Sequence, residues 1–205
     1  MAEGTAVAPR RAGRAELPEL ARMLARAFHE DPVASWSCRP DHLRPRVLER
    51  LFGMRLRDLY PRGEIWTDDD LRSVAVWAAP DRWHTTVRQD AAYASCLLHP
   101  RLALRAPMVV TGLLRAQNLH PDEPAHWYLA ILGTDPSAQG QGLGSAMMEP
   151  VLEECDRDGV GAYLESSKEQ NLAFYARNGF RVSSEKRLPR GPFLWPMWRE
   201  PRGQH

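Results

Sequence analysis

The spacing of apolar and polar positions predicts an ordered series of helices and strands along this chain. Near the N-terminus, TAVAPR reads as a short first strand. Leu20, Leu24 and Phe28 then recur at helical spacing with Met23 and Ala27 beside them, and Pro18 suits a first turn. This helix is expected to stop at Asp31-Pro32, because a residue before proline avoids the helical region. Leu48, Leu51, Phe52 and Leu59 mark a second helix. EIWT and SVAVWAA follow as two strands, with Asp68-Asp69-Asp70 as the turn of a hairpin. From Val87 to Asn118 the pattern is helical and broken by Pro100 and Pro107.

From Trp127 the pattern sharpens. It reads as strand WYLAILGT, a glycine turn, a helix to about Asp158, strand GAYLES, a short helix NLAFYARN, strand FRVSSEK and a last strand around FLWPMW. There is no internal repeat and no low-complexity segment. No linker divides the chain, so residues 1–205 are expected to form one domain with a full core.

Composition narrows the classes. Hydrophobic residues are 43% and charged residues 26%, as in an ordinary soluble globular protein. The formal net charge of +1 gives no reason to expect a nucleic acid partner. VAVWAA and WYLAIL are far short of the ~20 residues that span a bilayer, and the N-terminus lacks an apolar signal core. A cytoplasmic protein with no membrane partner is therefore expected. Cys38, Cys96 and Cys155 are too far apart for a zinc pattern or a disulfide framework, so no metal is expected. The arginine-rich run from Arg44 to Arg57 reads as a solvated helix face.

The chemistry concentrates in SAQGQGLGSAM, residues 137–147. A glycine-rich turn between a strand and a helix is a natural anion site, because the first helical amides lack intrahelical partners and the helix dipole adds positive potential. Three phosphate ligands compete. A nucleoside-triphosphate loop needs a lysine after its glycines, and none follows here. A dinucleotide site fits Gly140, Gly142, Ser145 at the third glycine position and Glu165 as the ribose acid, but too little chain follows Glu165 to complete that sheet.

Coenzyme A is the third. Gln139-Gly140-Gln141-Gly142-Leu143-Gly144 matches the Arg/Gln-x-x-Gly-x-Gly/Ala signature of the GNAT superfamily of acyl-CoA-dependent N-acetyltransferases. Asn171, Tyr175, Gly179 and Phe180 resemble that family's N-x-x-x-Y-x-x-x-G-F block. The stretches EPAHWYLAILGTDP, GQGLGSAM and YLESS are similar to the subgroup that includes puromycin N-acetyltransferase. The resemblance covers roughly residues 125 to 185. It departs from many members at Gln141, where they carry Arg or Lys.

The resemblance implies a mixed, mostly antiparallel sheet of about seven strands flanked by helices, an α/β (α+β) GNAT fold whose central strands splay apart. Residues of about 14–120 would shape the acceptor site and about 125–198 would hold acetyl-CoA. Cofactor contacts fall on Leu132, Gly133 and Thr134 through the backbone, on the Gln139 to Ser145 loop, and on Asn171 and Tyr175. Tyr175, four residues after Asn171 on one helix face, is the expected acid for the departing thiolate, since a phenol's reference pKa of roughly 10 lies above a thiol's ~8.5. Glu165 is one candidate for the base; Glu30, Asp31 and His126 are others, and a water relay is an equal alternative. Phe28, Asp31 and Trp36 lie where the family places its acceptor pocket, and Trp127 is either core or a substrate wall. The expected partner is a small-molecule amine, with the protein a monomer or homodimer. Two alternatives stay open: acetylation of a protein N-terminus or lysine, and a non-catalytic acyl-CoA-binding protein.

Overall fold

The computed structural model describes residues 7–38, 42–97, 106–117 and 119–203. The first strand, β1, is Arg10–Arg11. It lies later than the sequence pattern predicts: Val7 to Pro9 carry no strand, and Thr5 and Ala6 fall outside the described residues. Helix α1, Leu17–Ala27, has Pro18 in its first turn and buries Leu17, Leu20, Ala21, Met23, Leu24 and Ala25. Asp31 does more than end this helix. Its carboxylate accepts from the amides of Val33 and Ala34, which starts a second helix, α2, at Pro32–Ser37. Proline fits the first position of α2 because its missing N–H would have no partner there.

Helix α3, Arg44–Leu59, leads into the hairpin of β2, Gly63–Thr67, and β3, Ser73–Ala78. Asp68 is fully buried in the turn and accepts from the amides of Arg72 and Ser73. Helices α4, Val87–Ser95, and α5, Ala106–Gln117, follow. Pro107 begins α5 instead of breaking it, and Pro100 and Asn118 lie outside the described residues. The second half contains β4, His126–Thr134; α6, Leu143–Asp158; β5, Gly161–Ser166; α7, Leu172–Arg177; β6, Arg181–Val182; β7, Lys186–Arg187; and β8, Phe193–Arg199. The single strand expected at FRVSSEK is thus two short ones, both paired to β8.

The eight described strands form one sheet in the order β1-β2-β3-β4-β5-β8-β6, with β7 also on β8. Only β4 and β5 run parallel. The sheet is mixed and mostly antiparallel, with one strand more than expected. α1 and α3 cover one face, where Leu20, Leu24 and Leu56 pack with Val74, Val76 and Ile131. α6 and α7 cover the other, where Met147, Met148 and Val151 pack with Ala75, Trp77, Leu129 and Leu164. Each fully buried side chain of this size contributes about 1.5–3 kcal/mol. Among the described residues no helix is long and apolar enough to cross a membrane.

Two irregularities open this sheet. The β3–β4 register jumps from Val76↔Ile131 to Trp77↔Leu129, which leaves Ala130 as an extra residue in β4. The β4–β5 ladder consists only of His126↔Gly161, Trp127↔Ala162 and Tyr128↔Tyr163. Beyond it β4 runs on to Thr134 and β5 to Ser166 with no shared ladder. A cleft occupies the gap.

Candidate active site

The cleft has a volume of about 600 Å³ and runs from the glycine turn to the carboxylate of Glu165. At its first end, Gly140 and Gly142 have φ of 78° and 81°. This left-handed conformation costs other residues roughly 1–2 kcal/mol. Nothing lies within 4 Å of where their Cβ atoms would be, so the space over the loop is open. Gly142 is the N-cap of α6, no side chain caps this helix, and its first turn carries no acid. The leading amides of a 16-residue helix therefore face open space with the positive end of the dipole behind them.

The loop is fixed from both sides. The Gln139 side chain donates to the Thr134 carbonyl at 3.2 Å. Asp135 accepts from the Ser137 hydroxyl and amide and pairs with Arg26 of α1 at 2.7 Å. These bonds, the Ser137 hydroxyl's first, hold its carboxyl below the usual range. Gly144 is needed for packing, since an added Cβ would stand 3.3 Å from the Phe174 ring. Gly133 is tighter: a Cβ would meet Leu24 at 2.5 Å and Phe28 at 3.1 Å, so α1 lies directly on the backbone of β4. Leu132, Gly133 and Thr134 line the cleft along the edge of β4 that β5 leaves unpaired.

Helix α7 supplies the middle of the cleft. Asn171 holds the N-cap position, yet its side chain makes no capping hydrogen bond; it and Tyr175 line the cleft. Tyr175 is 8% exposed and packs edge-on against Phe174 and Phe180. Burial raises its pKa, and the Asp31 carboxylate adds to the shift, so the phenol keeps its proton at neutral pH. Asp31 is 4% exposed and lines the same cleft. Besides capping α2 it accepts from the Ser167 hydroxyl, which ties the α1–α2 corner to the end of β5.

Glu165 stands where β4 and β5 part. Its Oε2 accepts from the Tyr128 hydroxyl at 2.9 Å, and its Oε1 lies 3.7 Å from Nδ1 of His120. Burial, with the Glu165 charge beside it, raises the Tyr128 pKa well above its ordinary value, so this hydroxyl remains a donor. The chemistry available in one cleft is thus an amide-lined anion end, a protonated phenol and two carboxylates, Asp31 and Glu165.

The model of the acetyltransferase (GNAT) family matches residues 55–180. This chain belongs to the GNAT acetyltransferase family. An uncharacterized N-acetyltransferase of Schizosaccharomyces pombe, C550.08, is 25% identical over 183 residues, covering 85% of this chain and 74% of that protein. Among solved structures, the chain from Corynebacterium glutamicum described as histone acetyltransferase HPA2 and related acetyltransferase superposes with a TM-score of 0.69 at 24% identity, over 96% of this chain and 97% of that one. Arylalkylamine N-acetyltransferase 2 of Aedes aegypti gives 0.61 at 15% identity, over 97% and 100%. These likenesses establish the GNAT fold.

Most of the residues singled out from the sequence meet in the GNAT cleft: Phe28, Asp31, Leu132, Gly133, Thr134, Gln139, Gly140, Gly142, Leu143, Gly144, Ser145, Glu165, Asn171 and Tyr175 all line it. Five do not. Gln141 points to solvent. Glu30 has a side chain 81% exposed. Trp127 is buried with Trp77 and Met197 in the core under α6, and Trp36 in a separate cluster with Cys38, Val109 and Leu188. His126 is 1% exposed and bonded to the Pro124 carbonyl and to His120. His120 itself escaped the sequence reading. LHPDEP looks like a solvated loop, and it is Trp83, Tyr128 and Tyr163, from other segments, that bury this ring. The three cysteines form no disulfide.

Proposed function

We propose that this GNAT enzyme moves the acetyl group of acetyl-CoA to a primary amine of a small molecule. One observation carries the reading: a single cleft joins an open helix N-terminus, a protonated phenol and two recessed carboxylates. The residues fit the co-substrate. The glycine turn leaves room at its backbone for a diphosphate, and the unpaired edge of β4 offers main-chain groups to the pantetheine arm at Leu132, Gly133 and Thr134. Residues of about 125–198 would hold it, and those of about 14–120 would shape the acceptor side.

When bound, acetyl-CoA supplies a thioester whose C–S bond breaks as the amide bond forms. The roles of the chain follow from its groups. Asp31 and Glu165 attract the acceptor's ammonium, and Glu165 takes its proton so that the nitrogen lone pair is free. A backbone amide of β4 stabilises the carbonyl oxygen as charge builds on it. The Tyr175 hydroxyl protonates the departing sulfur, and the second proton that nitrogen loses as the amide forms restores the phenol. The loop of Gln139 to Ser145 holds the diphosphate, and Asn171 the arm beside Tyr175. The recessed position of Glu165, whose side chain is 16% exposed and held by the Tyr128 hydroxyl, supports a small free amine as acceptor. The likeness of HWYLAILGT, GQGLGSAM and YLESS to the puromycin N-acetyltransferase subgroup supports an amine-bearing antibiotic or metabolite.

Ligand binding to the native state alone stabilises it by mass action. At about 100 times Kd the gain is about 2.7 kcal/mol, which for a domain of this size is roughly 5–10 °C in Tm. Acetyl-CoA is expected to raise Tm by that amount in a thermal melt, and NAD to leave it unchanged. A shift with NAD and none with acetyl-CoA would return the glycine turn to the dinucleotide class.

A further inference from the structure

Behind Glu165, outside the residues that line the cleft, stand two imidazoles to which the proposed transfer gives no part. His120 is 8% exposed and His126 1%. His120 lies flat on Trp83, with centroids 3.5 Å apart and planes at 24°. Tyr128 and Tyr163 meet it edge-on at 4.5 and 4.6 Å. The Tyr163 hydroxyl donates to the Leu119 carbonyl at 3.1 Å and so pins the loop that carries His120.

Hydrogen-bond accounting assigns the tautomers. Nδ1 of His126 is 2.6 Å from the Pro124 carbonyl oxygen. A carbonyl only accepts, so this Nδ1 carries hydrogen. His126 is enclosed by the rings of Tyr163 and Trp198, and burial lowers its pKa, so the ring is neutral and its Nε2 is a lone pair. That lone pair is 2.9 Å from Nε2 of His120, which must therefore be the donor. In the tautomer that bond selects, the lone pair of Nδ1 of His120 faces Oε1 of Glu165, 3.7 Å away. That tautomer sets two acceptors face to face. The other oxygen of Glu165 already accepts from Tyr128.

We infer that Pro124, His126 and His120 form a tautomer lock, which keeps Nδ1 of His120 and Oε1 of Glu165 as a paired acceptor for one proton from the substrate ammonium. The inference rests on the reading of Glu165 as the base. An N–H bond of the ammonium breaks, and its electron pair stays on nitrogen. The proton is held between Oε1 and Nδ1 and passes to water after the product leaves. The titratable groups around the pair are His126, Tyr128, Tyr163 and His84, with Asp81 and Arg55 acting through their charge. His120 acts through Glu165 and is a positioning residue. His126 cannot carry the proton onward, because its far nitrogen is committed to Pro124.

Imidazole nitrogen NMR on the ligand-free protein reads the lock without any reaction. The expected result is hydrogen on Nδ1 of His126 and on Nε2 of His120, with Nδ1 of His120 bare. Hydrogen on Nδ1 of His120 in the ligand-free protein, with Nε2 bare or also carrying hydrogen, would overturn the inference. Kinetics gives a second arm. His120→Gln keeps an amide donor toward His126 and removes the group that faces Glu165. The kcat/KM for the amine is expected to fall about 10- to 100-fold at neutral pH, at or below the lower end of general acid–base contributions. Acetyl-CoA affinity should hold, and the loss should shrink as pH rises toward the amine's own pKa, where it arrives unprotonated. An equal loss at every pH, or none, would also overturn it. A parent protein that transfers no acetyl group would sink the proposed reaction instead, and the NMR result would still decide the lock.

Discussion

Gly142→Asp is expected to weaken acetyl-CoA binding by about 100-fold or more while the protein stays folded. The position is exposed, and no atom lies within 4 Å of the site of the new Cβ, so the side chain meets no clash. Its φ of 81° makes the substitution strained, by roughly 1–2 kcal/mol, against a total stability of about 5–15 kcal/mol for an ordinary domain. The effect on the ligand is larger. The carboxylate would stand over the leading amides of α6, where the diphosphate must come. Two unit charges about 4 Å apart repel by about 4 kcal/mol at a near-surface dielectric. Solvent screening at this exposed turn reduces that, and about 3 kcal/mol corresponds to the 100-fold loss. Calorimetric titration with acetyl-CoA, beside a thermal melt of the same variant, measures both quantities. A folded variant that binds as the parent does would mean that the diphosphate is held elsewhere.

Tyr175→Phe is expected to lower kcat and kcat/KM together by about 100-fold, with acetyl-CoA affinity nearly unchanged. An acid needed only when the C–S bond breaks contributes to the transition state and not to the ground state. General acid–base groups contribute ~10² to 10⁴-fold, and a thiolate leaves well enough to put this one at the lower end. Phenylalanine keeps the ring contacts with Phe174 and Phe180, so stability should change by no more than about 1 kcal/mol. Steady-state rates and a CoA titration on the same protein separate the outcomes. Unchanged kcat would remove Tyr175 from the chemistry. Normal kcat with poor acetyl-CoA binding would make it a ligand contact.

The second half of the fold was legible because its signals are local. GAYLES is β5 to the residue, and the helix expected to reach Asp158 does so, ending where Gly159 takes a φ of 69°. Local signals misled where one residue serves two elements. Asp31-Pro32 reads as a stop, yet the aspartate that ends one helix caps the next. The strand expected at FRVSSEK failed for a different reason. Its two short pieces are defined by pairing to β8, which follows them in sequence but lies between them and β5 in the sheet.

In the cleft, residues fixed by backbone geometry were readable, since glycines with positive φ and a motif of fixed spacing leave a trace in sequence. Side chains brought in from a distance were not. Trp127 and Tyr128 are neighbours in β4 and point to opposite faces, and the sequence alone does not say which face becomes cleft. His120 acquires its surroundings from Trp83, Tyr128, Tyr163 and Glu165, none of them near it in the periodic pattern.

The most direct test is acetyl transfer itself. The protein is incubated with acetyl-CoA and a panel of aminonucleosides, aminoglycosides, polyamines and amino acids, alongside protein and peptide acceptors. Released thiol is followed, and products are weighed by mass spectrometry. The account predicts that at least one small amine gains a single acetyl group in step with thiol release, and that the peptides gain none. Thiol release matched by acetylation of protein or peptide acceptors alone, or tight acetyl-CoA binding with no acceptor modified, would contradict it.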